Sequence, residues 1–260
     1  MRFVGVPLGI GLVLVLLVPG LAQASTGSAL PAATAPGVTY TTSAWAGYYT
    51  YGGHLHSVSR VEGSWIVPHL NASCKHHPTS SIFVGIGMDY VSPYSSQEQM
   101  GTLATCTTGT GVRNYQADIF DNGVVKVGVL KIAPGNIISA SIVFSSGRLN
   151  YSITNHNTSR TFWYHAAKSH SSLANRATAE WFATVLGAAP YNAPFGKLEF
   201  GPKFTHLNGT DVATISGHNH AIGGQNHLYR TDMVRYSTSL THTSYLALDK
   251  ASFWVGWLAY

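Results

Sequence analysis

From residue 43 onward the chain is a succession of short β-forming runs, each closed by Gly, Pro, Asn or Ser, with no sustained helical period. The runs are Val58–Val67, Ser81–Ile86, Tyr115–Phe120, Val124–Ile132, Ile137–Phe144, Leu149–Thr154, Thr161–His165, Ala177–Val185, Lys197–Phe204, Val212–Ile215, Thr231–Val234 and Ser252–Trp257. A dozen such runs at this close spacing argue for an antiparallel sandwich or barrel. Asp121-Asn122-Gly123 predicts a tight hairpin, because Asn and Gly accept the positive φ that such turns need. Pro134-Gly135-Asn136 predicts another turn. Neither a linker nor an internal repeat interrupts 43–260, so a single all-β domain is expected there.

Residues 1–24 read as a signal peptide. Arg2 supplies the positive end, Val4–Val18 the apolar run and Ala22-Gln23-Ala24 the small-x-small cleavage pattern. The run is short for a membrane span and no second one follows. A secreted protein with no membrane attachment after cleavage is the expectation. Residues 25–42, rich in Ala, Ser, Thr, Pro and Gly, read as a flexible lead or a short propeptide. About 236 residues then remain, ample for a large core.

Only 10% of residues are charged, against 13 histidines. A chain with few carboxylates has few ion pairs to lose in acid, which makes an acidic working environment compatible with this composition. The net charge is +5, but the basic residues are scattered, so nucleic acid is not an expected partner. The two cysteines, Cys74 and Cys106, are expected to pair in a secreted chain, with two free thiols as the other possibility. Closing that loop of roughly 33 residues would contribute about 3–4 kcal/mol. Asn71, Asn150, Asn157 and Asn208 each begin a glycosylation sequon.

Glu180 is out of place. It lies in Thr178-Ala179-Glu180-Trp181-Phe182, a strand-like run, whereas most of the other nine acidic residues neighbour Gly, Asn or Ser and are expected in loops. A carboxylate in such a run either faces water or is held in place for a purpose.

Three groups of segments together resemble the glutamic peptidases, or eqolisins. They are Trp45-Ala46-Gly47-Tyr48 with Ser64-Trp65-Ile66-Val67-Pro68, then Val84-Gly85-Ile86 with Gln99-Met100-Gly101-Thr102, then Ala179-Glu180-Trp181. The resemblance covers roughly Ser43 to Trp257. It implies a β-sandwich of two large curved antiparallel sheets, jelly-roll or concanavalin-like, with a cleft on one face. It also implies that Glu180 and Gln99 are the catalytic pair of a pepstatin-insensitive endopeptidase. Such an enzyme uses an activated water, no metal, no cofactor and no covalent intermediate. Polypeptides would be the substrates and the protein a monomer. Trp65 matches a family tryptophan near the cleft, a core role being equally open. Trp45, in the opening motif, is the other substrate-binding candidate. The chain departs from the family at Ala44, Phe83, Gly87-Met88, Asp118-Ile119-Phe120 and Ala183-Thr184. Those positions bear on substrate pockets and on acids around the pair.

Two rival readings remain. A secreted carbohydrate-binding or otherwise non-catalytic sandwich needs no acid pair, whereas a glycosidase needs two facing carboxylates about 5–9 Å apart. A metal hydrolase could draw on His54 and His56, His76 and His77, or His218 and His220. No HExxH accompanies them and their neighbours suggest loops, so no metal is expected.

Overall fold

The computed structural model describes residues 39–42, 45–71, 80–89, 97–107, 109–185 and 191–258. The expected signal peptide, most of residues 25–42, Ala44, Cys74, His76 and His77 lie outside the described residues.

The first strands are β1 (Thr39–Thr42), β2 (Trp45–Tyr51), β3 (Val58–Ile66), β4 (Ser80–Met88), β5 (Glu98–Cys106), β6 (Arg113–Asp121) and β7 (Val124–Lys126). Next come β8 (Ile137–Ser145), β9 (Arg148–Asn155), β10 (Arg160–His165), β11 (Thr178–Thr184), β12 (Tyr191–Asn192) and β13 (Lys197–Phe200). The chain closes with β14 (Val212–Ile215), β15 (His218–Ala221), β16 (Leu228–Arg235), β17 (Thr238–Ser239), β18 (Thr241–Thr243) and β19 (Phe253–Trp257).

They form two sheets. The ten-stranded sheet runs β1-β16-β2-β11-β4-β5-β6-β7, with β12 beside β4 and β17 beside β16. The nine-stranded sheet runs β10-β9-β8-β3-β13-β19-β18, with the β14–β15 hairpin on β3. All pairings are antiparallel except β1 with β16 and β12 with β4. The sandwich expectation therefore holds.

The two sheets differ on their outer faces. On β8 and β9 every second residue is buried, so Ile138, Ala140, Ile142, Leu149, Tyr151 and Ile153 enter the core and their neighbours are partly open to water. On β4 and β11 every residue is buried. Ile82, Val84, Ile86, Met88, Ala179, Trp181 and Ala183 face the partner sheet. Phe83 and Phe182, on the alternate positions, join Trp45, Tyr49 and Tyr229 in a second aromatic cluster on the far face.

Two tryptophans tie the sheets together. Trp65 of β3 donates from Nε1 to Thr102 Oγ1 at 2.9 Å, and Trp181 of β11 donates to the Glu62 carbonyl at 2.7 Å. Gly63 makes room for the second, since a Cβ there would lie 3.1 Å from Trp181 Cδ1 and 2.5 Å from Ile86.

Several elements differ from the sequence expectation. The run Val124–Ile132 stays a strand only to Lys126. β7 ends the sheet path, Gly128 turns away at φ 63°, and its N–H bonds the Asp118 carboxylate. Lys197–Phe204 breaks at Gly201 (φ 93°), after which Pro202 opens the helical turn α1 (Pro202–Thr205). Thr39–Thr42, expected to be flexible, pairs with β16. His218 and His220 lie in a strand rather than a loop, because Ser216 and Gly217 (φ 49° and 82°) close a hairpin before them. Asn122 and Gly123 (φ 43° and 89°) form the expected β6–β7 hairpin turn.

Candidate active site

Glu180 and Gln99 come together across β4. Register pairs Glu180 with Gly87, and Gly87 with Gln99. Directly opposed residues point to the same face, so the two side chains flank a residue that has none. The row continues through Tyr49 and Tyr229 on one side and Phe120 on the other. It lies on the far aromatic face, away from the inter-sheet core.

Gly87 provides space rather than backbone freedom. A Cβ on it would sit 2.8 Å from Glu180 Oε2, 3.2 Å from Phe182 and 3.3 Å from Gln99 Cγ. Two residues along each strand, in the next row on the same face, Gly47 and Gly85 flank Phe182 and Gly101 lies beyond Gly85, and there any Cβ would strike a neighbouring backbone carbonyl at 2.1–2.2 Å. Glycine is needed there because neighbouring backbone approaches too closely for any side chain. Substituting Ala for Gly87 is expected to leave the fold intact. It should displace the carboxylate by a few tenths of an ångström or more and, on the expectation from sequence that the pair is catalytic, reduce turnover by about 10²-fold. Parallel thermal melts and cleavage assays check this, and unchanged turnover would contradict the geometry.

Both members of the pair are buried, Glu180 at 0% exposure and Gln99 at 2%. Among the described residues Gln99 Nε2 has no hydrogen-bond partner. The pair is thus juxtaposed without a direct hydrogen bond between them, in a covered site rather than an open one. Thr178, two residues before Glu180 and so on the same face, donates a short hydrogen bond to Glu180 Oε1. Its Oγ1 accepts the Asp89 N–H at 3.0 Å. Asp89 in turn accepts the backbone N–H groups of Arg176, Ala177 and Thr178. Sequence reasoning missed Thr178, although its i−2 spacing from Glu180 on a strand was the available signal.

The surrounding charges are sparse. Burial pushes the Tyr49 phenol well above its usual range, with Tyr229, Tyr40 and the Glu180 charge adding to the effect. Tyr49 and Tyr229 stack at 4.7 Å. Asp118, on the same face beyond Gly101, has its carboxyl raised by burial, against the hydrogen bonds from Gln116 and the Gly128 N–H.

The remaining candidates separate. Trp45 lies on the site's face, edge-on to Tyr49 at 5.5 Å and to Phe182 at 6.5 Å. Trp65 is fully buried between the sheets, bonded to the core side of β5, and takes the core role rather than a cleft role. Glu98 faces away from Gln99, as strand alternation requires. It is buried opposite Asp121, which accepts hydrogen bonds from Tyr151 and Tyr164, both at 3.1 Å. The expectation that most acids other than Glu180 sit in loops fails, since Glu62, Glu98, Asp118, Asp121, Glu199 and Asp232 lie in strands and only Asp89, Asp211 and Asp249 lie between them. Asp89, Glu98, Asp118, Asp121, Glu180 and Asp211 are also buried, six of the chain's ten. Cys106 is buried and is not a free thiol, but its expected partner Cys74 is outside the described residues. His218, His220 and His227 border a cavity of about 210 Å³ at the end of β2. Among the described residues no three metal-capable side chains converge.

Residues 43–256 match the Peptidase A4 family, and the chain belongs to that family, the eqolisins. The fold is similar to that of scytalido-glutamic peptidase bound to a transition-state analog inhibitor. That similarity has a TM-score of 0.65 and 17% identity, over 83% of this chain and 98% of that one. It is also similar to the eqolisin SCP-B in complex with the tripeptide Ala-Ile-His. There the TM-score is 0.61 and the identity 16%, over 83% and 98% of the two chains. Aspergilloglutamic peptidase from Aspergillus niger gives a TM-score of 0.55 at 16% identity, over 69% and 99%. No curated protein sequence matches the chain. The protein is therefore a β-sandwich peptidase of the glutamic class.

Proposed function

We propose that this protein is a secreted endopeptidase that cleaves polypeptides in acid, with Glu180 as general base and acid and Gln99 as the oxyanion donor. The observation that carries the reading is the row Glu180-Gly87-Gln99, in which a carboxylate and a neutral amide flank a side-chain gap on an aromatic face. A water in that gap can give a proton to the Glu180 carboxylate as it attacks a peptide carbonyl. Gln99 Nε2, buried with no partner among the described residues, is a desolvated donor suited to the oxygen that becomes negative. Glu180 then passes its proton to the departing nitrogen. An amide stays neutral at every working pH, so attack requires one ionised group, and a free glutamate ionises near pH 4.3. Removal of residues 1–24 on export and a Cys74–Cys106 disulfide belong to the same reading.

The test is digestion of acid-denatured protein between pH 2 and 6 with pepstatin present, comparing wild type with Gln99→Ala. Pepstatin-insensitive cleavage that falls by about 10²–10³ in the variant is expected. Absence of cleavage across that range, with sugar binding instead, would replace the peptidase by the carbohydrate-binding reading.

A further inference from the structure

A carboxylate has two oxygens, and a general base works best when one is held and the other is presented. In this site the two oxygens of Glu180 have different surroundings. Oε1 accepts from Thr178, whereas Oε2 lies beside the side-chain gap over Gly87, on the way to Gln99. We infer that Thr178 is a positioning residue, which fixes Oε1 and so turns Oε2 toward Gly87 and Gln99, where the proposed mechanism needs its water. This rests on the reading of Glu180 as the acid–base group.

The hydroxyl has one proton to give. Its oxygen already accepts the Asp89 N–H at 3.0 Å, so the proton is directed away from Asp89 and onto Glu180. Thr178 is fully buried and β-branched, hence stiff at χ1. Asp89 is itself held. Its carboxylate takes the Ala177 N–H at 2.7 Å, the Thr178 N–H at 3.4 Å and the Arg176 N–H, which fastens the entry of β11 to the end of β4. Both Asp89 (φ 63°) and Arg176 (φ 48°) are in the left-handed region, an uncommon conformation for these residues that the surrounding bonds maintain. Arg176 is fixed further by its guanidinium, 3.7 Å over the Phe144 ring and bonded to the Val58 carbonyl at 3.1 Å. The chain of contacts thus runs from rigid backbone, through one hydroxyl, to the reacting carboxylate.

Among the described residues, the ionisable groups near Glu180 include Tyr49 opposite it on β2, Tyr229 beyond that on β16 and, through Thr178, Asp89 at the end of β4, while Asp118 on β6 shares the face farther along. Gln99 on β5 is neutral. A hydroxyl donating to the carboxylate favours its charged form, so loss of that donor shifts ionisation to higher pH.

Thr178→Val removes the hydroxyl and keeps the shape, and Thr178→Ser restores the donor. Two readouts are needed: a ¹³C carboxyl titration of Glu180, assigned by the resonance missing in Glu180→Gln, and the pH profile of kcat/KM. Valine is expected to move the Glu180 midpoint and the acidic limb of the profile up by about one pH unit. Serine should return both toward wild type. An unchanged midpoint in Thr178→Val overturns the inference. Thr178→Ala serves if valine misfolds, and loss of the fold in both would assign the hydroxyl to the fold instead. A wild type that cleaves nothing would refute the peptidase reading, and the titration would still decide this one.

Discussion

Glutamine in place of Glu180 is expected to reduce acid proteolysis by at least about 10³-fold while the protein stays folded. The substitution keeps the volume and one acceptor oxygen, so the Thr178 hydroxyl retains a partner, and the neighbouring Tyr49 and Phe182 keep their contacts. What disappears is the only group in the row that can take a proton from water and return it to the leaving nitrogen. Gln99→Ala removes a different element, the donor to the oxyanion, and is expected to be the milder change. If the two act as one unit, the double variant falls little further than Glu180→Gln alone. Initial rates on an acid-denatured protein, beside near-ultraviolet dichroism to confirm folding, decide the matter. A Glu180→Gln protein that cleaves within tenfold of wild type would remove the residue from the mechanism.

The second large effect concerns stability. Asp211 is fully buried, and its carboxyl is pushed up to about 8 from an ordinary 3.8. Burial is the main cause. It outweighs the hydrogen bonds to Oδ2 from the Thr210 hydroxyl (2.8 Å) and from the Ser64 hydroxyl and N–H (2.9 and 3.1 Å). Between pH 4 and 8 the folded chain therefore holds a proton at this position that the unfolded chain has lost. The stabilisation is fully present below about pH 4 and declines as pH rises, by at most about 1.4 kcal/mol per unit and roughly 5 kcal/mol in all. The raised carboxyl of Asp118 adds a slope of the same sign. Asp211→Asn, with its carbonyl in the place of Oδ2 and its amide in the place of Oδ1, should flatten the dependence and stabilise the protein most near neutrality. Urea denaturation at pH 4, 6 and 8 measures this, and equal slopes in wild type and variant would contradict it.

The strands were legible because alternation survives in the sequence. Leu149, Tyr151 and Ile153 alternate with polar residues, and β9 follows that pattern residue by residue. Where the sequence reading overran, a glycine at positive φ had redirected the chain, as at Gly128 and Gly201. The buried acids were hidden for a related reason. Asp121 precedes Asn122-Gly123 and looks like a turn residue, yet pairing with Glu98 puts it on the last inward position of β6. Glu180 and Gln99 were found through motif order, but their meeting depends on β4 lying between them, which no local pattern encodes. Gly87 shows the limit best. As a departure from the family it cast its effect on the pockets, whereas in the fold its missing side chain is the space in which the pair meets.

Burial of six of the ten acids also changes how the exterior responds to acid. Glu62, Glu199, Asp232 and Asp249 are the carboxyls that remain at or near water, and the first three already face a basic partner, Arg60, Lys197 and His242 respectively. Of the chain's fifteen Lys and Arg, only Arg176 and Arg230 are buried among the described residues. Positive charge gained in acid thus accumulates on a surface with few anions left to oppose it. From neutrality downward the molecule moves away from its isoelectric point at about 9.2, and like-charge repulsion between copies keeps it dispersed in the acid where we place its activity.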